Sequence, residues 1–251
     1  MKYKLLVLDV DGTLVESSPN AKVSKKLIEA IKKINKSIKI SLCTGRAYPS
    51  ANKIIRTLGI KDNYHVIESG SKIVNPRQEL ENIRSLTYGN IKEIVGVVRN
   101  LSSRFGYCVN GKWESIVKEN GNETITVVAV HSENSNQTDS ILNSLKPLEK
   151  KFNINTGSKW DCPKGAVVHV TNINSSKESG VAYVQNKLGV KKVETIGIGD
   201  MLNDLPLFKQ SGLKVAMGNA TQELKNRADT IAPSVNEDGV AWVIEKYLIS
   251  D

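Results

Sequence analysis

Asp9 and Asp11 stand two residues apart where the apolar run Leu5-Leu6-Val7-Leu8 ends. On an extended chain residues two apart point to one side, so both carboxylates face the same way while Val10 faces the other. Two like charges at the mouth of a buried strand repel, and neither is buried cheaply without a partner. A cation beside them removes that cost. Gly12 follows, which permits a tight turn and a close approach of backbone to a ligand. A second acidic group, Asp200 with Asn203 and Asp204, follows Gly199 where the run Val193-Glu194-Thr195-Ile196-Gly197-Ile198 ends. Asp9 and Asp200 offer hard oxygens, which suit Mg²⁺, an ion that takes few protein carboxylates and keeps waters for a phosphate to replace. Thr44 and Gly45 end another strand and can hold a phosphate oxygen with a hydroxyl and an amide. Lys177 opens a helix and supplies a compact positive charge for the same phosphate. Taken singly, each has a plainer explanation as a turn residue, a helix cap or a surface lysine.

The elements around these residues place them together. The run Leu5–Leu8, a helical pattern from Val23 to Ile34, the strand Ile38–Cys43, a helix opened by Pro49 and closed by Gly59, and the strand His65–Ile67 alternate as in a parallel sheet with helical crossovers. The pattern changes after about residue 80. Ile91, Ile94, Val95, Val98 and Leu101 predict a helix ending near Gly106, Thr124–Val130 a strand, and Ile141 to Leu148 a helix that Pro147 must kink or end. Phe152–Asn155 and Val167–Val170 read as strands, and Ser132–Gln137 as a loop. The parallel pattern resumes after Asn174, with a helix from Lys177 to Gly189, strands at Val193–Ile198 and Leu213–Met217, and a C-terminal helix carrying Val240, Val243, Ile244 and Leu248. The expected architecture is α/β: a Rossmann-like parallel-sheet core from residues 1–81 and 173–251, with a small α+β unit, 82–172, inserted into it. All strand carboxyl ends of a parallel sheet lie on one edge, so Asp9, Thr44 and Asp200 converge although far apart in the chain.

The stretch Asp9-Val10-Asp11-Gly12-Thr13-Leu14, then Thr44-Gly45-Arg46, Lys177 and Gly199-Asp200-Met201-Leu202-Asn203-Asp204, resembles in order the four motifs of the haloacid dehalogenase-like (HAD) phosphohydrolase superfamily. The likeness spans nearly the whole core. An insert between the second and third motifs is similar to the C2 cap of the Cof-type branch, and its modest size, with Asn110-Gly111-Lys112-Trp113-Glu114 inside it, looks most like the archaeal phosphoglycolate phosphatases. Two stretches depart from the pattern: Ser69-Gly70-Ser71 falls where many relatives carry Asn-Gly-Ala, and Glu178 follows Lys177 where relatives carry Gly, with Lys164 upstream as a competing lysine. The resemblance implies Asp9 as nucleophile, Asp11 as general acid and base, and Thr44, Gly45 and Lys177 on the phosphate. It implies Mg²⁺ at Asp9, Asp11 (through its carbonyl), Asp200 and Asp204, with Asn203 and Asp204 orienting the metal shell or Lys177. The expected reaction is hydrolysis of a small phosphomonoester, 2-phosphoglycolate foremost. A sugar-phosphate phosphatase, a phosphosugar mutase and a non-enzymatic phospho-ligand binder are the alternatives. Lys112, Trp113 and Glu114, with Asn110, Lys159 and Trp160, are the cap residues expected to choose the leaving group.

Composition bounds the rest. The chain has 251 residues, 39% of them hydrophobic and 24% charged, ordinary for a globular protein. No apolar run approaches the roughly 20 residues that span a bilayer. Cys43, Cys108 and Cys162 have no metal-type spacing and read as reduced thiols of a cytoplasmic protein. The net charge of +9 comes from scattered lysines without a basic-aromatic stripe, which argues for a solvated surface or for steering of an anionic substrate, and against a nucleic-acid partner. The expected partner is a small phosphorylated metabolite, with no membrane and with a homodimer left open.

Overall fold

The computed structural model describes residues 2–18, 21–119, 122–158 and 164–249. Strand β1 (Leu5–Leu8) is buried along its whole length, as its unbroken apolar run requires of a strand covered on both faces. Helix α1 (Lys25–Ile34) starts at Ser24, whose hydroxyl accepts from the Leu27 amide at 3.0 Å, and buries Leu27, Ala30, Ile31 and Ile34 on one face. Strand β2 (Lys39–Leu42) pairs in parallel with β1, Leu8 opposite Leu42. Helix α2 (Tyr48–Leu58) has its proline in the first turn and ends on Gly59 in the left-handed conformation (φ 68°).

The third expected strand, β3 (His65–Ile67), does not extend the parallel sheet as a full member. One bridge, Cys43 to Val66, joins it to the end of β2; otherwise it pairs antiparallel with β4 (Lys72–Val74), which pairs with β5 (Leu80–Glu81). A polar turn of four residues, Glu68 to Ser71, returns the chain before a helical crossover can form. That turn is unusual: Glu68, Ser69 and Gly70 all have positive φ (50°, 56° and 93°).

The inserted unit follows. Helix α3 (Tyr88–Val98) ends eight residues before Gly106, because the Ser102 hydroxyl turns the chain by accepting from the Arg104 amide and donating to the His131 carbonyl. Strands β6 (Phe105–Val109) and β7 (Lys112–Glu114), absent from the sequence reading, form a hairpin whose two turn residues, Asn110 and Gly111, both have positive φ. Strand β8 (Ile125–His131) precedes α4 (Ser135–Leu145), which begins inside the expected loop because the Asn134 side chain caps the Gln137 amide. Helix α4 ends before Pro147. Strands β9 (Phe152–Ser158) and β10 (Ala166–Asn172) complete an antiparallel sheet of order β7-β6-β8-β10-β9. Val128, Val130, Val168 and Val170 on one face pack against Ile91, Ile94, Ile141 and Leu145 of the two helices, a second hydrophobic core. The opposite face looks toward the parallel sheet.

The chain then returns through α5 (Lys177–Leu188), capped by Ser176 and closed by Gly189, to β11 (Thr195–Gly199). Helix α6 (Leu205–Lys209), β12 (Leu213–Ala216), α7 (Gln222–Lys225), β13 (Thr230–Ile231) and α8 (Gly239–Ile244) follow. The parallel sheet has order β13-β12-β11-β1-β2. The chain leaves β1 for β2 on one side and later fills β11 on the other, so the strand order reverses at β1. Ligands of open α/β sheets sit at such a point. Cys43 and Cys108 are buried free thiols; Cys162 lies outside the described residues. Among the described residues no helix is long and apolar enough to cross a membrane.

Candidate active site

Register assembles the site. Leu8 pairs with Ile198, and the Asp9 amide donates to the Ile198 carbonyl at 3.0 Å, so Asp9 and Asp200 leave neighbouring strands side by side. The Cys43 amide donates to the Leu8 carbonyl, which sets Thr44 on the other flank of Asp9. Helix α5 begins at this edge, and its first residue, Lys177, reaches Asp9 Oδ1 at 2.5 Å and Asp204 Oδ1 at 2.6 Å through Nζ. The second Asp204 oxygen accepts from the Asp200 and Met201 amides at 2.9 and 3.1 Å, so Asp204 ties the loop after β11 to Lys177. Thr13 donates to Asp200 Oδ1 at 3.1 Å. Gly12 (φ 82°) is demanded by this packing, since a Cβ there would collide with the Asp200 carboxylate.

Asp9, Asp200 and Asp204 are 7%, 6% and 0% exposed, and one carboxylate oxygen from each lies within 4.8 Å of the others. One lysine faces three carboxylates. Burial pushes the Asp9 carboxyl up to about 7, against the pull of Lys177. Burial, with repulsion from Asp9 and Asp204, pushes Asp200 up to about 9. Lys177 is held well above its ordinary value because Asp204 and Asp9 outweigh the cost of burying it. A cluster this short of positive charge fits a divalent cation, and its hard oxygen donors fit magnesium. Asp9 and Asp200 have oxygens to offer it. Both Asp204 oxygens are already engaged.

Asp11 sits at the rim. Arg46 grips it with a planar fork, Nε to Oδ2 at 2.9 Å and Nη2 to Oδ1 at 2.5 Å, and Nη1 donates to Ser50 at 3.1 Å. Thr44 is buried and its hydroxyl accepts from the Arg46 amide at 3.1 Å. Gly45 lies under the antiparallel sheet: a Cβ there would come within 3.3 Å of both the His169 ring and the Ser69 hydroxyl.

A sequence model of the haloacid dehalogenase-like hydrolases matches residues 6–244. The chain belongs to that family. It is 29% identical over 246 residues to phosphoglycolate phosphatase 1 of Saccharolobus solfataricus, a match covering 98% of this chain and 96% of the relative. It is 30% identical over 285 residues to the stress response protein YhaX of Bacillus subtilis, covering 98% and 94%. A solved haloacid dehalogenase-like hydrolase from B. subtilis superposes with a TM-score of 0.82 at 18% identity, covering 98% of this chain and all of the other, and shows the same fold.

In this HAD hydrolase Asp9, Lys177, Asp200 and Asp204 are in one connected buried cluster, with Asp11, Thr44 and Gly45 along the same sheet edge. Lys164, the competing lysine, is exposed. Asn203 is half-buried on the turn before α6, and among the described residues its side chain makes no hydrogen bond to Lys177 or to the acidic cluster. In the cap, Trp113 stacks at a tilt on His169 with ring centroids 5.7 Å apart, while its neighbours Lys112 and Glu114, exposed on a strand, point to the other face. Asn110 caps the hairpin by accepting from the Thr124 amide at 3.0 Å. Lys159 and Trp160 lie outside the described residues. Sequence reasoning missed His169, Ser69 and Thr13 and gave Arg46 no role. Ser69 left a signal in the departing stretch Ser69-Gly70-Ser71, and His169 another, as a lone imidazole between Val168 and Val170 on the alternate face of an apolar strand.

Proposed function

We propose that this chain hydrolyses a small phosphomonoester with magnesium, through an aspartyl-phosphate on Asp9, and that 2-phosphoglycolate is its substrate. The chain is a phosphatase of the HAD superfamily. The observation that carries the finer reading is the cluster of three buried aspartates held around Lys177 where the strand order reverses. Asp9 attacks phosphorus as the P–O bond to the alcohol breaks, and Asp11 gives that alcohol its proton. Asp11 then takes a proton from water as the water oxygen attacks the phosphoryl group, releasing phosphate and restoring Asp9. Thr44, the Gly45 amide and Lys177 hold the phosphoryl oxygens. Asp9, Asp200 and the Asp11 carbonyl would hold magnesium, which would neutralise charge on those oxygens. Asp204 positions Lys177 and the loop that carries Asp200.

The division of labour follows the sheets: residues 1–81 and 173–251 as the catalytic core, 82–172 as the cap that excludes water and selects the leaving group. Support for phosphoglycolate comes from the Saccharolobus relative and from the size of the cap. Phosphate release from 2-phosphoglycolate, sugar phosphates and nucleotides in magnesium buffer tests the reading. Turnover fastest on phosphoglycolate is the expected result. Turnover confined to sugar phosphates would transfer the assignment to a Cof-type sugar phosphatase, and isomerised phosphosugar without free phosphate to a mutase.

A further inference from the structure

His169 belongs to β10, in the cap, yet its ring rests on the catalytic core. Ser69, 100 residues earlier, meets His169 Nδ1 with its hydroxyl at 3.1 Å. The ring lies against Gly45, whose amide the proposed function assigns to a phosphoryl oxygen, and His131 and Lys177 each disfavour a further positive charge there. Burial pushes the imidazole down to about 4, so it is neutral at physiological pH. Ser69 is itself buried, and among the described residues its hydroxyl has no acceptor but Nδ1. A buried hydroxyl without another acceptor donates to the one it has. Nδ1 is then the accepting nitrogen, and Nε2 carries the proton.

The support beneath Ser69 is rigid. Glu68 and Ser69 are both in the left-handed region, and the next residue, Gly70, packs so tightly on the Ser176 backbone that a Cβ would collide with it. Glu68 is fully buried, pairs with Lys72 at 3.1 Å and accepts from the cap's Thr126 hydroxyl at 2.6 Å. The Ser69 amide donates to the Thr44 carbonyl at 3.1 Å. The phosphate-binding strand end, the strained turn and the cap imidazole thus form one chain of contacts. Trp113, 43% exposed, stacks on the ring at a tilt, with centroids 5.7 Å apart.

We propose that His169 is a specificity-determining residue: its Nε2–H donates to an oxygen of the leaving group, and Ser69 is the positioning residue that fixes the ring. The site selects phosphomonoesters whose alcohol carries a carboxylate or hydroxyl oxygen next to the ester carbon, over those with an apolar leaving group. This rests on the phosphatase reading above.

The test measures kcat/KM for 2-phosphoglycolate, glycerol 3-phosphate and p-nitrophenyl phosphate in the wild type and in His169→Ala, His169→Gln and Ser69→Ala, each checked for a cooperative melt. The readout is the ratio of the better oxygenated ester to the aryl ester. It falls roughly ten-fold in His169→Ala if the acceptor is a hydroxyl, the order expected of one neutral hydrogen bond, and further if it is the carboxylate of 2-phosphoglycolate. It recovers in part in His169→Gln, which restores a donor, and falls less in Ser69→Ala. An unchanged ratio in His169→Ala overturns the inference while leaving the phosphatase intact. So does a wild type that hydrolyses only the aryl ester. A wild type that releases phosphate from none of the three removes the phosphoglycolate reading and this inference with it.

Discussion

Lys177 and Asp204 form a buried ion pair, Nζ to Oδ1 at 2.6 Å, with the aspartate fully enclosed. The pair joins two elements that the chain visits 27 residues apart, and the same lysine touches Asp9. Asp9 still compensates Lys177 when Asp204 is removed, so the loss is that of hydrogen bonds to a charged group, about 1.5–3 kcal/mol. Asp204→Ala also strips the Asp200 and Met201 amides of their acceptor. We expect this variant to lose stability on that scale in urea titrations and to lose most of its kcat. Full activity in a stable Asp204→Ala protein would show that Lys177 needs no anchor.

Magnesium should stabilise the fold as well as support turnover, because it relieves repulsion among Asp9, Asp200 and Asp204. At a hundred-fold excess over its Kd an ion adds about 2.7 kcal/mol. Calorimetric melts with magnesium and with EDTA should differ in the wild type. The difference should shrink in Asp200→Asn. A melting temperature indifferent to magnesium would remove the metal from this site.

Asp9→Asn should keep the fold and abolish hydrolysis of an aryl phosphate, while Asp11→Asn loses roughly 10²- to 10⁴-fold, the usual share of general acid–base catalysis. Arg46 holds both Asp11 oxygens, and a lysine cannot reproduce that fork. Arg46→Lys should therefore lower kcat by about an order of magnitude, less than Asp11→Asn, and shift the pH profile. Steady-state kinetics across pH 5–9 would separate the three.

His65 gives the fold an acid sensitivity of its own. Its Nδ1 accepts from the Leu42 amide at 3.2 Å and its Nε2 meets the Ile60 carbonyl at 3.0 Å, so only the neutral ring satisfies both. Burial lowers it from 6.5 to about 4. The unfolded chain takes up the proton first, so this stability is present above pH 6.5 and is lost as pH falls from 6.5 to 4, by about 3 kcal/mol. Urea midpoints of His65→Gln should show a shallower slope over that window than the wild type.

Glu68 and Lys72 are both buried, four residues apart, and Thr126 reaches the glutamate across from the cap. Glu68→Gln strands the lysine and should destabilise by a few kcal/mol, whereas Lys72→Met in the same chain should recover much of the loss. A double-mutant cycle in urea would show that coupling as non-additivity. Additive losses would mean the pair contributes nothing as a pair.

Much of the edge that carries the acidic cluster was legible from spacing alone. A short continuous apolar run closed by Gly reads as a strand buried on both faces, and carboxylates two apart on an extended chain face one way. The same logic applied to Thr195–Gly199 set Asp200 beside Asp9, because parallel strands share an edge. Gly59 and Gly189 closed their helices where a left-handed residue was needed. Short strands were harder. Lys112–Glu114 is too brief to show a period, and only the Asn110-Gly111 turn signalled the hairpin. His65–Ile67 looked like a third parallel strand because its pattern is the same whether it joins that sheet or folds back on Lys72–Val74.

What the sequence by itself determined is the set of charged residues at strand ends and the order in which they come. The tertiary structure alone decided their partners: that Arg46 would grip Asp11, that Asp204 would spend itself on Lys177, and that His169 would lie on Gly45 with Ser69 behind it. Periodicity reports which face of an element is buried, a local property. Which residue meets it depends on how two sheets dock, and that is set by contacts between segments a hundred residues apart.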